Sequence, residues 1–244
     1  MITPAASAGR ILIAVGLFVR MRLAETPAFE RIKQEAAVAR QPLVEVIAHQ
    51  PRNFLIAVGI KVSEVAWVYV LTVFSIFYAT GTLGLSRTLI LYAILAAAVL
   101  EFVTMPLFGW LSDQVGRRPM YLVGAALSVL AAFPVFWLLD LRDPTIAVLT
   151  IAIAMSVTHA TMFGPQAAFM PELFGTRLRY SGASLGCQVA AALSGGFAPV
   201  IATGLLAWAG ATWPISLYLI GLGLISFTAT LLAHETQHMD IAKS

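Results

Sequence analysis

The sequence predicts an all-α membrane protein with six transmembrane helices. Of its 244 residues, 59% are hydrophobic and only 11% carry a charge, and the mean hydropathy is +0.87. A soluble globule of this size needs far more polar surface than this composition supplies. The lipid bilayer is therefore the expected surroundings of the chain.

Six apolar runs are long enough to cross a bilayer, which takes about 20 residues because the backbone there must satisfy its own hydrogen bonds. Prolines inside the runs, at Pro106, Pro134, Pro165 and Pro199, predict kinks. The runs cover residues 54–79, 88–111, 120–139, 146–170, 181–208 and 214–233.

These runs divide the chain into four parts. Residues 54–233 form the six-helix body, 21–53 a loop before it and 234–244 a tail. In residues 1–20, the apolar stretch Ile11–Val19 is too short to span. We interpret it as the last turns of a further span whose beginning is missing, with an interfacial amphipathic stub as the alternative.

Basic residues flank alternate loops, which predicts the orientation. Cytoplasmic loops carry an excess of Lys and Arg, and the loops facing the other way hold only Arg87 and Arg142. Both termini, the loop 21–53 and the tail are therefore expected in the cytoplasm. The basic residues on that side are Arg20, Arg22, Arg31, Lys33, Arg40, Arg52, Arg117, Arg118, Arg177, Arg179 and Lys243.

Several function classes are disfavoured by composition and by missing motifs. The net charge is +3, but the basic residues lie beside apolar runs rather than on one soluble face. We therefore expect no nucleic-acid partner. Cys187 is the single cysteine, which excludes an intramolecular disulfide and cysteine-rich zinc patterns. No phosphate-binding loop or hydrolase motif is present. We predict no enzyme, metal or cofactor, and an ion gradient as the energy source.

Ionisable residues inside the runs are the sharpest functional candidates, because a charge buried in a membrane is costly and usually faces a cavity or a partner. Lys61 and Glu64 share one helical face and can pair, as a structural ion pair or as a substrate or proton site. Glu101 can carry a proton, or it can face lipid in neutral form. His159 can relay protons or pack as a hydrogen-bonded histidine.

The loop after the second run reads GWLSDQVGRR, from Gly109 to Arg118. Gly116 suits a tight turn, Gly109 lets helices approach closely, and Asp113 beside Arg117 forms a charge cluster that can hold helix ends. A positive loop with a capping aspartate is the plain alternative. The string resembles the G-x-L-S-D-x-x-G-R-R signature of the major facilitator superfamily.

A second string, GPQAAFMPELFGTRLRYSGASLGCQVAAALSGGFAP, runs from Gly164 to Pro199. It resembles the metabolite:proton symporter branch of that superfamily, as does the segment Glu25–Phe29, and shikimate-type carriers look most similar. Cys187 stands where the branch usually has an aromatic residue, and Pro171 where a small residue is common.

The resemblance implies roles for further polar residues. Glu172, Arg177 and Arg179 are assigned with the signature loop to a cytoplasmic gate, although snorkelling explains the arginines equally well. Gln166 and Gln188 are expected to contact an oxygen-rich substrate. The branch also shows a basic residue and a glutamate at the spacing of Lys61 and Glu64.

Small residues recur at every fourth position of the fifth run. Gly182, Gly186, Ala190 and Ser194 lie on one helical stripe, and this pattern lets two membrane helices touch backbones. Close packing is therefore favoured over direct substrate contact.

The resemblance implies that the chain is one half of a major facilitator fold, made of two three-helix inverted repeats. It would be the carboxyl-terminal half of a 12-helix carrier that moves a small organic acid with a proton across the bacterial inner membrane. Its missing partner is the amino-terminal half, which in the family contacts the signature aspartate, here Asp113. The alternative is a truncated, non-transporting fragment or a split half that needs a separate mate.

Overall fold

The computed structural model of the protein describes residues 42–175 and 178–236. Within these ranges the chain is helical, with short turns and no strand. The predictions for residues 1–20, for most of 21–53, for the end of the tail and for Arg177 lie outside the described residues. Residues 42–53, the end of the predicted cytoplasmic loop, contain helix α1 (Pro42–His49) and the start of α2, where Pro51 suits the first helical turn.

Six helices of the described part are long and apolar enough to cross a membrane, which confirms the predicted spans. Several extend beyond the predicted runs at one or both ends, because membrane helices continue into the interface. They are α2 (Pro51–Leu83), α3 (Arg87–Val115), α4 (Arg117–Leu139), α5 (Pro144–Glu172), α6 (Arg179–Ala209) and α7 (Trp213–Leu232).

Helix boundaries follow capping chemistry. The Ser86 hydroxyl accepts the backbone N–H of Leu89 at 3.2 Å at the start of α3. A carboxylate oxygen of Asp143 accepts the first free N–H groups of α5, at 2.8 and 2.9 Å. Both caps satisfy donors that a helix cannot pair internally. Between α3 and α4, Gly116 has φ +116°, a conformation that glycine adopts without steric cost.

Four stretches of the described helices are wound as π-helix: Val70–Phe74 and Ala79–Leu83 in α2, Met155–His159 in α5, and Ala191–Gly195 in α6. Pro106, Pro134 and Pro165 lie inside helices, as predicted. The predicted kink at Pro199 coincides with an interruption of its helix. Helix α6 breaks at Gly196 and Phe197, and Pro199 stands in the first turn of Ala198–Ala209, where its missing N–H costs no hydrogen bond.

The helices pack around α2, which contacts α4, α6 and α7, while α3 packs against α5. Small residues stand at the close crossings. A Cβ added at Gly59 would lie 2.8 Å from Cβ of Ala229 in α7, and one added at Gly186 would lie 2.9 Å from Cβ of Ala57. Backbone-to-backbone approach of this kind supplies dispersion contacts where lipid gives no hydrophobic driving force between helices.

Among the described glycines, the closest approach to backbone atoms joins α3 and α5. A Cβ on Gly164 would lie 2.7 Å from the Met105 carbonyl oxygen and 2.8 Å from the Gly109 nitrogen. Both neighbours are backbone atoms and cannot rotate away. Gly164 and Gly109 therefore set the separation of the two helices that carry His159 and Glu101.

We expect Gly164→Ala to lower the free energy of unfolding by about 1–3 kcal/mol, because the added methyl group forces the two backbones apart. Thermal unfolding of the purified chain in detergent measures this. Gly221→Ala is the matched control, since a Cβ there meets nothing within 4 Å. It should leave the midpoint unchanged or raise it slightly. Equal losses for both variants would contradict the packing argument.

Candidate functional site

A group of ionisable side chains is buried in the middle of the bundle. Lys61 and Glu64 come from α2, Glu101 from α3 and His159 from α5. Their residues are 8%, 3%, 7% and 6% exposed, in that order. The sequence singled out all four, and the structure brings them into mutual contact. We call them the buried network.

One end of the buried network is an ion pair that is hydrogen-bonded to the side-chain amide of Gln166. Lys61 Nζ lies 2.6 Å from Glu64 Oε2 and donates to Gln166 Oε1 at 2.6 Å. The Gln166 amide nitrogen lies 3.4 Å from the same Glu64 oxygen. Lysine, glutamate and glutamine thus form a closed triangle with the ammonium group at one corner.

At the other end, the imidazole of His159 bridges two carboxylates. Its Nε2 lies 2.9 Å from Glu64 Oε1, and its Nδ1 lies 2.6 Å from Glu101 Oε1. Both distances are those of charge-assisted hydrogen bonds. The contacts therefore run without a gap from Lys61 through Glu64 and His159 to Glu101.

Local helix geometry places the histidine. His159 is the last residue of the π-helical stretch of α5, and such stretches in α-helices often occur at functional sites. Its ring lies 5.1 Å from the ring of Phe163. The same Phe163 ring lies 5.4 Å from Lys61 Nζ, a cation–π contact. One aromatic side chain thus packs against two members of the buried network.

Tyr121 of α4 is a contributor that the sequence analysis missed. It is fully buried, donates its hydroxyl hydrogen to the Ile60 carbonyl at 3.1 Å and lies 3.4 Å from the Gln166 amide nitrogen. A tyrosine near the end of an apolar run reads as part of the interfacial aromatic belt. Only the packing of α4 against α2 and α5 shows that its hydroxyl points inward.

Gln188 does not join Gln166 at the buried network. It is exposed on α6, outside the contacts given above. Its neighbour Cys187 is partly buried and close enough to interact electrostatically with Lys61 and Glu64. The predicted small-residue stripe of α6 is buried at all four positions, and the Ser194 hydroxyl donates to the Ala190 carbonyl.

The signature loop forms a second polar cluster at one end of the bundle. Arg117 pairs with Asp113, donates to the Ser112 hydroxyl at 2.9 Å and lies 3.7 Å from a carboxylate oxygen of Glu172. These contacts join the ends of α3 and α5 to the start of α4. Arg179, also predicted as a gate residue, lies in the first turn of α6.

Glu235, which the sequence analysis placed in an unremarkable tail, completes this cluster. Its carboxylate accepts the backbone N–H groups of Arg117 and Arg118 at 3.0 and 3.1 Å, at the start of α4. In return, the Arg118 guanidinium donates to the Thr230 and Leu231 carbonyls at the end of α7. Each charge faces the helix end whose dipole attracts it.

Comparison with known proteins agrees with this architecture. The profile of the Major Facilitator Superfamily matches residues 5–199. The shikimate transporter of Escherichia coli K12 is 34% identical over 230 residues, covering 93% of this chain and 52% of that protein. No solved structure gives a significant match.

Other relatives are also transporters. The inner membrane metabolite transport protein YhjE of Escherichia coli K12 is 32% identical over 239 residues, covering 95% of this chain and 53% of that protein. The ectoine/proline transporter ProP of Corynebacterium glutamicum is 29% identical over 241 residues, covering 94% and 47%. The chain spans about half the length of the curated relatives it matches.

These matches confirm the predicted resemblance to metabolite:proton symporters, shikimate-type carriers included. The profile covers most of the chain, the six apolar helices form the expected fold, and the loop signature occupies the predicted turn between α3 and α4. The chain is a multi-pass membrane protein and belongs to the Major Facilitator Superfamily of transporters.

Proposed function

We propose that the complete carrier containing this chain moves a small organic acid together with a proton across the bacterial inner membrane. The observation that carries this proposal is the buried network, with four ionisable groups in contact at 2.6–2.9 Å inside membrane-spanning helices. In this proposal the buried network is the site where substrate and proton are coupled.

The depth of the buried network supports a transport role. With a rise of 1.5 Å per residue, Lys61, Glu101 and His159 lie roughly 15–22 Å from the first residues of their helices, near the middle of a hydrocarbon core about 30 Å thick. Transporters of this type bind substrate near the midplane. Charges at this depth add little to stability, since apolar side chains of similar volume commonly replace buried ion pairs without loss.

The chemistry of the Lys61 end favours an organic acid. An ammonium group binds a carboxylate through a charge-assisted hydrogen bond, and the Gln166 amide can exchange hydrogen bonds with substrate hydroxyl groups. The names of two relatives support the same class: the shikimate transporter and the citrate-proton symporter of Klebsiella pneumoniae, 27% identical over 201 residues. Shikimate is the first substrate that we propose.

The amino-terminal half of the carrier is the proposed partner of this chain. The excess of basic residues in alternate loops supports cytoplasmic termini. In this proposal the cluster of Asp113, Arg117 and Glu235 is therefore also on the cytoplasmic side. There it would serve as the gate that holds helix ends together.

A second candidate is a non-transporting fragment, or one half of a split carrier. The chain spans 52% and 53% of the length of two relatives, which is the length of one half of such a carrier. The coding sequence immediately upstream distinguishes the possibilities. A continuous frame with five or six further spans indicates a single carrier, an interrupted one indicates a remnant, and a separate intact gene for six spans indicates a split carrier.

Proteoliposomes containing the complete carrier should take up radiolabelled shikimate when their interior is more alkaline than the medium, because the inward proton gradient drives the coupled acid. Uptake should stop when a protonophore dissipates the gradient. Citrate and proline serve as comparison substrates. A carrier that accumulates none of the three under a proton gradient would refute proton-coupled symport.

The Lys61–Glu64 pair offers a test that separates a transport role from a structural one. Lys61→Gln alone leaves Glu64 buried without its cation, a change that costs about 3–5 kcal/mol. In Lys61→Gln/Glu64→Gln no charge is stranded, so folding should return close to that of the unmodified carrier.

We expect the double variant to remain folded while its transport efficiency, kcat/KM, falls about 10- to 100-fold, the effect of losing a hydrogen bond to a charged group. Size-exclusion chromatography and initial uptake rates measure the two properties. Gln188→Asn is the matched control on α6. Full transport by the double variant would show that the ion pair is only structural.

A further inference from the structure

We propose that the buried network takes up one proton for each negative charge that a substrate brings to Lys61, so that a monocarboxylate crosses the membrane with one proton and no net charge. This proposal rests on the proposed function above. It adds a stoichiometry, and it assigns the substrate and the proton to opposite ends of the buried network.

The hydrogen count follows from geometry. Each contact of His159, at 2.6 Å to Glu101 and 2.9 Å to Glu64, needs one hydrogen between the two heavy atoms, because two lone pairs at that distance repel. Glu64, His159 and Glu101 therefore share two hydrogens. The histidine holds both, or it holds one while a carboxyl group holds the other.

Both arrangements have the same charge. An imidazolium between two carboxylates sums to −1, and so does a neutral imidazole between one carboxylate and one carboxylic acid. The ammonium group of Lys61 brings the total to zero. A neutral total is what a low-dielectric site favours, because each uncompensated charge in the membrane interior costs several kcal/mol.

A substrate carboxylate disturbs this balance. When it binds Lys61 in place of Glu64, the total becomes −1, and one additional proton restores neutrality. Starting from the imidazolium, the additional proton binds Glu101 and the Nε2 hydrogen of His159 moves to Glu64. Each of the two contacts of His159 then still has a hydrogen. Glu64–OH then donates to Nε2, and Nδ1–H donates to Glu101. Three protons are held instead of two.

The contacts distinguish the ends of the buried network from its middle. Glu64 and His159 each contact two other members of the buried network, whereas Lys61 and Glu101 each contact one. Lys61 also has three donors for a substrate oxygen, while Glu101 contacts the histidine. We therefore assign Lys61 to the substrate and Glu101 to the arriving proton.

Two further titratable groups face the buried network in the described part of the chain: Tyr121 from α4 and Cys187 from α6. The Tyr121 hydroxyl keeps its hydrogen because it donates to the Ile60 carbonyl, so it adds no charge to the count. Cys187 can be removed experimentally, as Cys187→Ser, to confirm that the thiol takes no part.

The stoichiometry is tested with the unmodified complete carrier in liposomes and radiolabelled shikimate. A gradient of one pH unit, alkaline inside, should accumulate the acid about tenfold, the limit for one proton per molecule without charge movement. A potassium diffusion potential of about 100 mV, set with valinomycin at equal pH, should change the distribution less than twofold. One transported charge would change it about 50-fold.

The assignment of Glu101 is tested with Glu101→Gln. We expect the pH-driven uptake rate to fall at least about tenfold, while exchange of labelled for unlabelled shikimate continues because the loaded carrier needs no new proton. Exchange also shows that the variant is folded. Thr104→Val, on the same helix, and Cys187→Ser are the controls, and both should keep pH-driven uptake.

Three results would overturn the inference, and they separate it from the proposed function. Accumulation driven by the membrane potential would contradict the charge balance while leaving proton-coupled transport intact. Unchanged pH-driven uptake by Glu101→Gln, or loss of its exchange activity, would overturn the role of Glu101. Absence of both exchange and pH-driven uptake in the unmodified carrier, with shikimate, citrate and proline alike, would reject the proposed function itself.

Discussion

The hydrogen-bonded bridge of His159 between Glu64 and Glu101 is the interaction around which the bundle is organised. It joins α2, α3 and α5 through charges that the hydrocarbon core cannot solvate. Each charged atom must therefore have its partner inside the protein. A shift of one helix that broke a contact would leave a charged side chain unpaired in the hydrocarbon core, at a high cost in free energy. Gly109 and Gly164 serve this arrangement because they bring α3 and α5 close enough for the carboxylate to reach the ring.

The middle and the end of the bundle meet different physical demands. In the middle, a few ionised groups share hydrogens in a dry environment, where adding or removing one proton changes the energy strongly. At the end that carries the signature loop, Arg118 and Glu235 neutralise the dipoles of α4 and α7. Those contacts involve half-exposed groups that can separate at lower cost than the buried network.

Sequence patterns located the six spans because hydrocarbon thickness and backbone hydrogen bonding leave few alternatives for long apolar runs. They also singled out Lys61, Glu64, Glu101 and His159, because charge inside such a run is conspicuous. They missed Tyr121, because the hydroxyl oxygen is the one polar atom of its large and otherwise apolar side chain. They also missed Glu235, because its backbone partners lie 117 and 118 residues earlier in the chain.

The sequence by itself determined that residues 51–232 contain six membrane-spanning helices and which of their ionisable side chains lie at depth. Both follow from local composition and from the cost of transferring charge into hydrocarbon. Only the tertiary structure decided that these side chains form one continuous series from Lys61 to Glu101, that Gln166 joins it and that Gln188 stands outside. Such contacts depend on how distant helices rotate and cross, and local periodicity carries no information about the face that a helix turns toward another.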